Sequence, residues 1–167
     1  MLPAEIKPWD SNPARYPVLD LEKPDLKYRF WDKEKVEVRD VLRKKWIHLG
    51  PEEWVRQHVI HWLLVRTGFP SALLSVERRL DKGVWRTDLL AYNRQAKPVL
   101  LVECKAPDIK ISKETLLQAN KYNHHLHARF VWITNGLVHG VFEWNADGSL
   151  AKQHAALPSL ELMMESF

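Results

Sequence analysis

Three side chains near the middle of the sequence have the types and the spacing needed to act on a phosphate ester. Asp88 is followed, after fourteen residues, by Glu103-Cys104-Lys105. Two carboxylates can hold a hard divalent cation, which prefers oxygen ligands. In a strand, Lys105 lies on the same face as Glu103, because side chains alternate between faces. A bound cation with a neighbouring ammonium group could polarise a phosphoryl oxygen and activate water.

The segment between the two carboxylates is predicted to be a β-hairpin. A four-residue loop over residues 94–97 would pair Asn93 with Pro98. The same register places Asp88 directly opposite Glu103, with β-carbons roughly 4.5 to 5.5 Å apart. Opposed like charges are destabilising unless a cation lies between them. The register therefore predicts a magnesium site, in which manganese would substitute.

The neighbours of these carboxylates offer one further candidate metal ligand, and they also allow an explanation of the acids without a metal. Cys104 points to the opposite face, so its thiol is expected to be buried, while its backbone carbonyl could be a third metal ligand. Arg86 falls opposite Lys105 in the same register. Asp88 and Glu103 could therefore simply form ion pairs with Lys105 and Arg86, and the geometry alone leaves both interpretations open.

Two helices and several strands are predicted around the hairpin. Residues 50–53, GPEE, begin a helix that should end near Gly68, and Ser112 caps a second helix through about His127. Before the first helix, KYRFW, KVEVR and KKWIHL indicate a strand or hairpin. The main strands are LLSVERRL, VWRTDLLAY, PVLLVECK, RFVWITN and LVHGVFEW. The fold class is predicted to be α/β, with a central mixed sheet flanked by helices and preceded by an N-terminal hairpin or arm.

The length and composition of the chain favour one globular domain. The 167 residues are 46% apolar and include eight tryptophans, which is enough material for a core. We expect an extended proline-rich arm over residues 1–26, a single domain over residues 27–155, and a C-terminal tail over residues 156–167.

Charge and cysteine content restrict the partners and the compartment. The formal charge of +4 and the pI near 9.2 suit a polyanionic partner without requiring one. A single cysteine excludes an internal disulfide and fits a reducing compartment. No signal sequence or long apolar run is present, so the expected location is cytoplasmic, with no membrane partner. The histidines near residue 125 lack an HExxH pattern or a cysteine pair and do not predict zinc.

Five segments resemble a known family, in order, over about residues 43–140: PEEWVRQHVIHWLL, RTDLLAY, LLVECKAP, QANKYN and ITNG. They resemble the N-terminal nuclease domain of the type I restriction enzyme R subunit, which has a PD-(D/E)xK core. This resemblance implies a restriction-endonuclease-like fold and a magnesium-dependent endonuclease that hydrolyses DNA phosphodiester bonds in defence or repair. It further implies that Asp88 and Glu103 bind the metal and that Lys105 orients or activates the attacking water.

The same resemblance implies roles for residues outside the hairpin. Glu53 matches the acid of the family's first helix and would complete the metal site or assist a second metal, although Glu52 could take this part instead. Gln118 and Tyr122 match the family's Q-x-x-x-Y element, and their spacing places both on one helix face. They would contact DNA or support Lys105. We add Arg86 as a candidate DNA contact.

Two other functions stay open at this point. The chain has no Walker A pattern, so we expect no ATP-driven translocation from it, and any helicase, methylase or specificity subunit would be a separate partner. A second copy of the chain is a further candidate partner besides DNA. The alternative to an enzyme is a non-catalytic nucleic-acid-binding subunit of a larger complex, and a more distant one is a structural protein with a coincidental motif. The intact pair of acids with its lysine favours an enzyme, since a non-catalytic protein would not need two opposed carboxylates.

Overall fold

The computed structural model describes residues 16–30, 35–77, 79–80 and 85–165. Most of the predicted proline-rich arm, residues 1–15, therefore lies outside the described residues, as do residues 166–167 of the predicted tail.

A small antiparallel sheet precedes the first helix. Its strands, in spatial order, are β1 (Tyr28–Phe30), β2 (Val36–Asp40) and β3 (Lys45–His48). Val36 and Val38 alternate with polar residues along β2 and are both buried, so one face of this sheet packs onto the domain. The predicted strand or hairpin is thus confirmed and extended to three strands.

The central sheet has six strands in the order β11-β10-β9-β8-β7-β4. Strands β8 and β9 are parallel, and the other neighbours are antiparallel, which confirms the predicted mixed sheet. The strands are β4 (Leu74–Val76), β7 (Leu89–Tyr92), β8 (Pro98–Cys104), β9 (Phe130–Thr134), β10 (His139–Trp144) and β11 (Leu150–His154). The edge strand β11 was not among the predicted strands.

The helices cover both faces of this sheet. They are α1 (Pro51–Val65), α2 (Lys113–Leu126) and α3 (Leu160–Met164). Because β8 is apolar on both faces, it joins two cores: Leu100 and Val102 pack in the core that contains α1, and Leu101 packs in the core that contains α2. Met163 of α3 is fully buried in the first of these cores, so the C-terminal segment packs on the domain.

Both predicted helix starts are confirmed. Pro51 occupies the first turn of α1. Ser112 caps α2 by accepting a hydrogen bond from the N–H of Thr115, and α2 ends at Leu126, followed by His127 in the left-handed conformation. The first helix ends at Val65, slightly before the predicted Gly68, which has a positive φ of 70°.

The hairpin of β7 and β8 has the predicted offset, but its loop differs from the prediction. Leu89 pairs with Val102 and Ala91 with Leu100, as predicted, whereas Tyr92 pairs with Pro98. The predicted pairing of Asn93 with Pro98 is therefore wrong. The backbone N–H of Asn93 bonds to the carbonyl of residue 97 at 2.9 Å, which shortens the loop by one residue. A bulge at residue 99 in β8 then restores the predicted offset.

The strand that precedes Asp88 does not continue this ladder. Arg86 lies in β6 (Trp85–Arg86), which pairs with β5 (Arg79–Leu80) in a separate two-stranded sheet. The prediction that Arg86 lies opposite Lys105 is therefore wrong. The chain leaves the central sheet at Asp88, whose carbonyl accepts a hydrogen bond from the N–H of Glu77 at 2.9 Å.

Residues 16–20 of the predicted arm lie along the domain. The hydroxyl of Tyr16 donates to the carbonyl of Leu49 at 2.8 Å, and its ring stacks on Trp54 with centroids 5.0 Å apart. The N–H of Asp20 bonds to the carbonyl of Gly136 at 2.7 Å. Of the helices in the described part of the chain, none has the length and apolar character to cross a membrane.

Candidate active site

Asp88 is held by hydrogen bonds to backbone groups at the open end of the hairpin, opposite its loop. Its Oδ2 accepts a hydrogen bond from the N–H of Cys104 at 2.7 Å, and its carbonyl is bonded to Glu77. The β7–β8 ladder ends at Leu89 and Val102, and Asp88 and Glu103 are the residues that directly flank this last pair. The structure thus places Asp88 beside the strand that carries the other two candidate catalytic side chains.

Glu103 is a buried carboxylate with one oxygen that lacks a partner. The residue is 5% exposed, and its Oε1 accepts a hydrogen bond from Nζ of Lys105 at 2.9 Å. Its Oε2 is buried without a hydrogen-bond partner. Burial, and then the charge of Asp88, raise the pKa of Glu103 to about 7. A cation beside Oε2 would give this oxygen a partner and would offset the repulsion between Glu103 and Asp88.

Lys105 directly follows β8 and lies on the same side as Glu103. Its backbone N–H donates to the carbonyl of Thr134 at 2.8 Å, and this bond holds the backbone of Lys105 against the end of β9. Burial alone would lower the pKa of the ammonium group, but the charge and hydrogen bond of Glu103 raise it overall. Lys105 is therefore a cation and a hydrogen-bond donor at neutral pH.

Arg56 is the main cation at this site, and sequence reasoning missed it. It lies on α1, is 4% exposed, and pairs with four carboxylates: Glu52 at 2.9 Å, Asp88 at 2.5 Å, Glu53, and more distantly Glu77 at 3.9 Å. Burial would lower the pKa of the guanidinium, but the charges of Asp88 and Glu53 raise it. One local signal was available, since Glu52 and Arg56 have the i, i+4 spacing of a helical ion pair.

The two candidate acids of the first helix have different surroundings. Glu53 is buried and accepts hydrogen bonds from Arg43, Arg56 and Gln57. Glu52 is more accessible, with 48% of its side chain exposed, and it pairs with Arg56 at 2.9 Å. Partial burial of the carboxyl group, and then the charge of Asp88, raise the pKa of Glu52. Both acids are thus joined to the site through Arg56, and the assignment of either one as a metal ligand stays a prediction.

The other predicted site residues are Gln118, Tyr122, Arg86 and Cys104. Gln118 donates a hydrogen bond to the hydroxyl of Tyr122 at 3.1 Å on α2. Arg86 is exposed and pairs with Glu77 at 3.0 Å. Their predicted contacts with DNA stay predictions. The side chain of Cys104 is fully buried, and burial raises the pKa of its thiol, so the thiol is unreactive. A metal contact by its carbonyl also stays a prediction.

The donor set suits magnesium better than zinc. Within the described residues, no group of three or more histidine, cysteine, aspartate or glutamate side chains is arranged to hold a metal. Magnesium does not need such a cage, because it is commonly held by one or two carboxylates together with water and phosphate oxygens. Oε2 of Glu103 is an unpartnered oxygen of this kind, whereas Oδ1 of Asp88 pairs with Arg56 and its Oδ2 accepts from the N–H of Cys104. Magnesium at this position stays a prediction.

Comparison with known proteins gives the family of this chain. Residues 51–158, well over half of the chain, match the family described as the type I restriction enzyme R protein N terminus (HSDR_N). The chain belongs to this family. The matched residues contain α1, α2 and all six strands of the central sheet.

One solved structure with similarity to this HSDR_N chain is a fragment described as an HsdR subunit of a type I restriction enzyme from Vibrio vulnificus YJ016. The match has 20% sequence identity and a TM-score of 0.40, and it covers 57% of this chain. This chain spans only 21% of the length of that fragment. No curated protein matches the chain.

Proposed function

We propose that this chain is a metal-dependent DNA endonuclease domain that hydrolyses phosphodiester bonds. The observation that supports this most directly is the buried Oε2 of Glu103, which has no partner and lies near the charge of Asp88. The other oxygen of Glu103 is bonded to Lys105. A buried carboxylate of this kind is costly to a fold, and a function that requires a cation at this position accounts for it.

Asp88, Glu103 and the backbone carbonyl of Cys104 would hold the metal. When bound, magnesium would polarise a phosphoryl oxygen of the scissile group and offset the charge of the transition state. Lys105 would position the attacking water and donate a hydrogen bond to a phosphate oxygen through Nζ, which the backbone bond to Thr134 keeps at the end of β8. The water oxygen then forms the new bond to phosphorus as the bond to the leaving oxygen breaks. The attacking water releases one proton to solvent, and the leaving oxygen takes up one proton from solvent.

DNA is the substrate that fits the family and the charge of the chain. The formal charge of +4 favours a polyanion, and Arg86, Gln118 and Tyr122 are the side chains that we propose contact DNA beside the site. We further propose a role in defence or repair, with a helicase, methylase or specificity subunit, or a second copy of this chain, as partner. The magnesium ion could be replaced by manganese, which has similar ligand preferences.

The test is cleavage by the purified full-length chain. Supercoiled, linear, branched and single-stranded DNA are incubated with magnesium or manganese, and in parallel with EDTA. We expect metal-dependent cutting that is lost in Asp88→Ala and Lys105→Ala. Glu22→Ala and Lys110→Ala serve as matched controls, since both residues are exposed and lie outside the site. If no substrate is cut in either metal, the endonuclease proposal fails. DNA binding without cutting would instead support a non-catalytic nucleic-acid-binding subunit.

A further inference from the structure

The strongest unexplained feature beside the proposed metal site is a buried arginine. We propose that Arg56 takes the place of a second metal ion, so that the site binds a single divalent cation. This inference rests on the proposed function, because it concerns how many metal ions the proposed nuclease uses. Arg56 lies between Asp88 and the acids of the first helix, and its positive charge neutralises part of their negative charge.

The contacts of Arg56 are those expected of a bridging cation. One terminal nitrogen of its guanidinium contacts both Glu52 at 2.9 Å and Asp88 at 2.5 Å, and the other contacts Glu53. The ions of a two-metal site lie about 4 Å apart, so a second ion beside one held by Asp88 would draw on the carboxylates that Arg56 contacts. The guanidinium already fills this space, and its charge cannot be removed by deprotonation.

Neutralisation within the surrounding ion-pair cluster agrees with one divalent cation. This cluster consists of two neighbouring groups of ion pairs, the pair of Glu103 with Lys105 and a larger network around Arg43 and Arg56. Together they contain six carboxylates and four cationic side chains, so two negative charges are in excess. The carboxylates are Asp40, Glu52, Glu53, Glu77, Asp88 and Glu103, and the cations are Arg43, Arg56, Arg86 and Lys105. One divalent cation balances this excess, whereas a second would leave a net positive charge in a largely buried site.

The place left for that one cation is on the side of Glu103. Among the described residues, Oε2 of Glu103 is the carboxylate oxygen that is buried without a partner. Both oxygens of Glu53 accept from charged guanidinium groups, Oε1 from Arg43 and Oε2 from Arg56, and Oε1 also accepts from Gln57. Oδ2 of Asp88 accepts the neutral N–H of Cys104 and keeps a lone pair for a metal. The metal therefore binds at Asp88 and Glu103, and the acids of the first helix hold Arg56 in position.

The number of bound ions can be measured directly, with manganese as the probe. Isothermal titration and electron paramagnetic resonance of the full chain should give one Mn²⁺ per wild-type molecule. Glu52→Gln should keep this Mn²⁺ affinity within about threefold, because an exposed acid bonded to arginine contributes only a long-range charge. Asp88→Asn should lower it by about tenfold or more, because it removes a charged ligand. An equal loss in both variants would make Glu52 a metal ligand and overturn the inference.

The converse variant is Arg56→Gln, which removes the charge and opens the space between the acids. We expect it to bind a second Mn²⁺, and we expect Mn²⁺ to raise its unfolding temperature more than that of the wild type. A folded Arg56→Gln chain that still binds one Mn²⁺ would overturn the inference. If this variant does not fold, the comparison of Glu52→Gln with Asp88→Asn decides the question.

The outcome also separates this inference from the proposed function. A wild-type chain that cuts DNA and binds two Mn²⁺ overturns the role of Arg56 and leaves the endonuclease intact. A chain that binds no Mn²⁺ and cuts no DNA overturns both.

Discussion

The backbone N–H of Cys104 donates a hydrogen bond of 2.7 Å to Oδ2 of Asp88, and this bond ties the first carboxylate of the site to the strand that carries the second. Asp88 lies just before β7 begins at Leu89, so strand pairing alone would not fix its side chain. The hydrogen bond supplies that constraint. The positions of Asp88, Glu103 and Lys105 therefore all depend on one strand, β8.

Replacement of Lys105 by methionine should abolish most of the cleavage while leaving metal binding intact. Methionine keeps much of the length of the side chain but removes the ammonium that we assign to water and phosphate. We expect the cleavage rate to fall by about 100-fold or more. Single-turnover cleavage of plasmid DNA measures the rate, and Mn²⁺ titration measures binding. Lys110→Met is the matched control, and a loss of only a few fold in Lys105→Met would contradict the assigned role.

Replacement of Glu103 by glutamine should stabilise the metal-free protein at pH 8. Burial raises the pKa of Glu103 to about 7 in the fold, so its stabilising contribution is complete below pH 4.5 and lost as the pH rises through 7. Glutamine is neutral and can still accept the hydrogen bond from Lys105. We expect a gain on the order of 1 to 3 kcal/mol in EDTA at pH 8, and little difference at pH 4.

Urea denaturation at the two pH values measures this gain. In saturating Mn²⁺ the order should reverse, because only the wild type then gains stability from the bound metal. If Glu103→Gln were the less stable protein in EDTA at pH 8, the burial of an uncompensated charge at this position would be refuted.

Replacement of Asp40 by alanine should destabilise the fold even when no metal is bound. Asp40 is fully buried, and its carboxylate accepts hydrogen bonds from the N–H groups of Leu42 and Arg43 and from the side chains of Arg43 and Gln57. Its loss would leave these donors unsatisfied and Arg43 partly unpaired. We expect a loss of about 3 kcal/mol in the free energy of unfolding, measured in urea. Asp25→Ala is a surface control for which we expect less than about 0.5 kcal/mol.

Acidification should destabilise the protein through His58 between about pH 6.5 and pH 4. Burial lowers the pKa of this histidine to about 4, although its bond to the carbonyl of Trp54 has the opposite effect, and the charges of His61 and Lys23 lower it slightly further. The unfolded chain then binds more protons in this pH range, so stability is lost as the pH falls. The full effect is on the order of 3 kcal/mol.

Because Glu103 shifts stability in the opposite direction over part of this range, the comparison must be made against a variant. His58→Gln should lose less stability than the wild type when the pH is lowered from 7 to 4. Equal pH profiles of the unfolding free energy in the two proteins would show that His58 titrates normally.

The opposed carboxylates could be predicted from sequence because the pattern of local residues determines them. The apolar run of β8 identifies a strand buried on both faces, and the alternation of faces then places Glu103 and Lys105 together. The offset between Leu89 and Val102 was correct even though the predicted loop was not. The predicted loop was one residue too long, and the prediction did not include the one-residue bulge in β8. These two differences cancel in the pairing of Leu89 with Val102.

The role of Arg56 could not be predicted in this way, because it depends on how α1 packs against the hairpin. Asp88 is 32 residues away from Arg56 in sequence. Their contact at 2.5 Å exists only once α1 packs beside the open end of the hairpin, where β7 begins and β8 ends. Arg86 was misplaced for a related reason. The ladder that would have set it opposite Lys105 stops at Asp88, where the chain bonds to Glu77 instead.

Because of the bulge at residue 99, the alignment of the two acids does not depend on the length of the hairpin loop alone. The bulge absorbs the one-residue difference between the pairing near the loop and the pairing near the site. Insertions and deletions in residues 94–97 can therefore accumulate during evolution, with the bulge gained or lost, while Asp88 stays opposite Glu103. A search for distant homologues that requires a fixed number of residues between the two acids would miss such proteins. One that aligns the buried residues of β7 and β8 would find them.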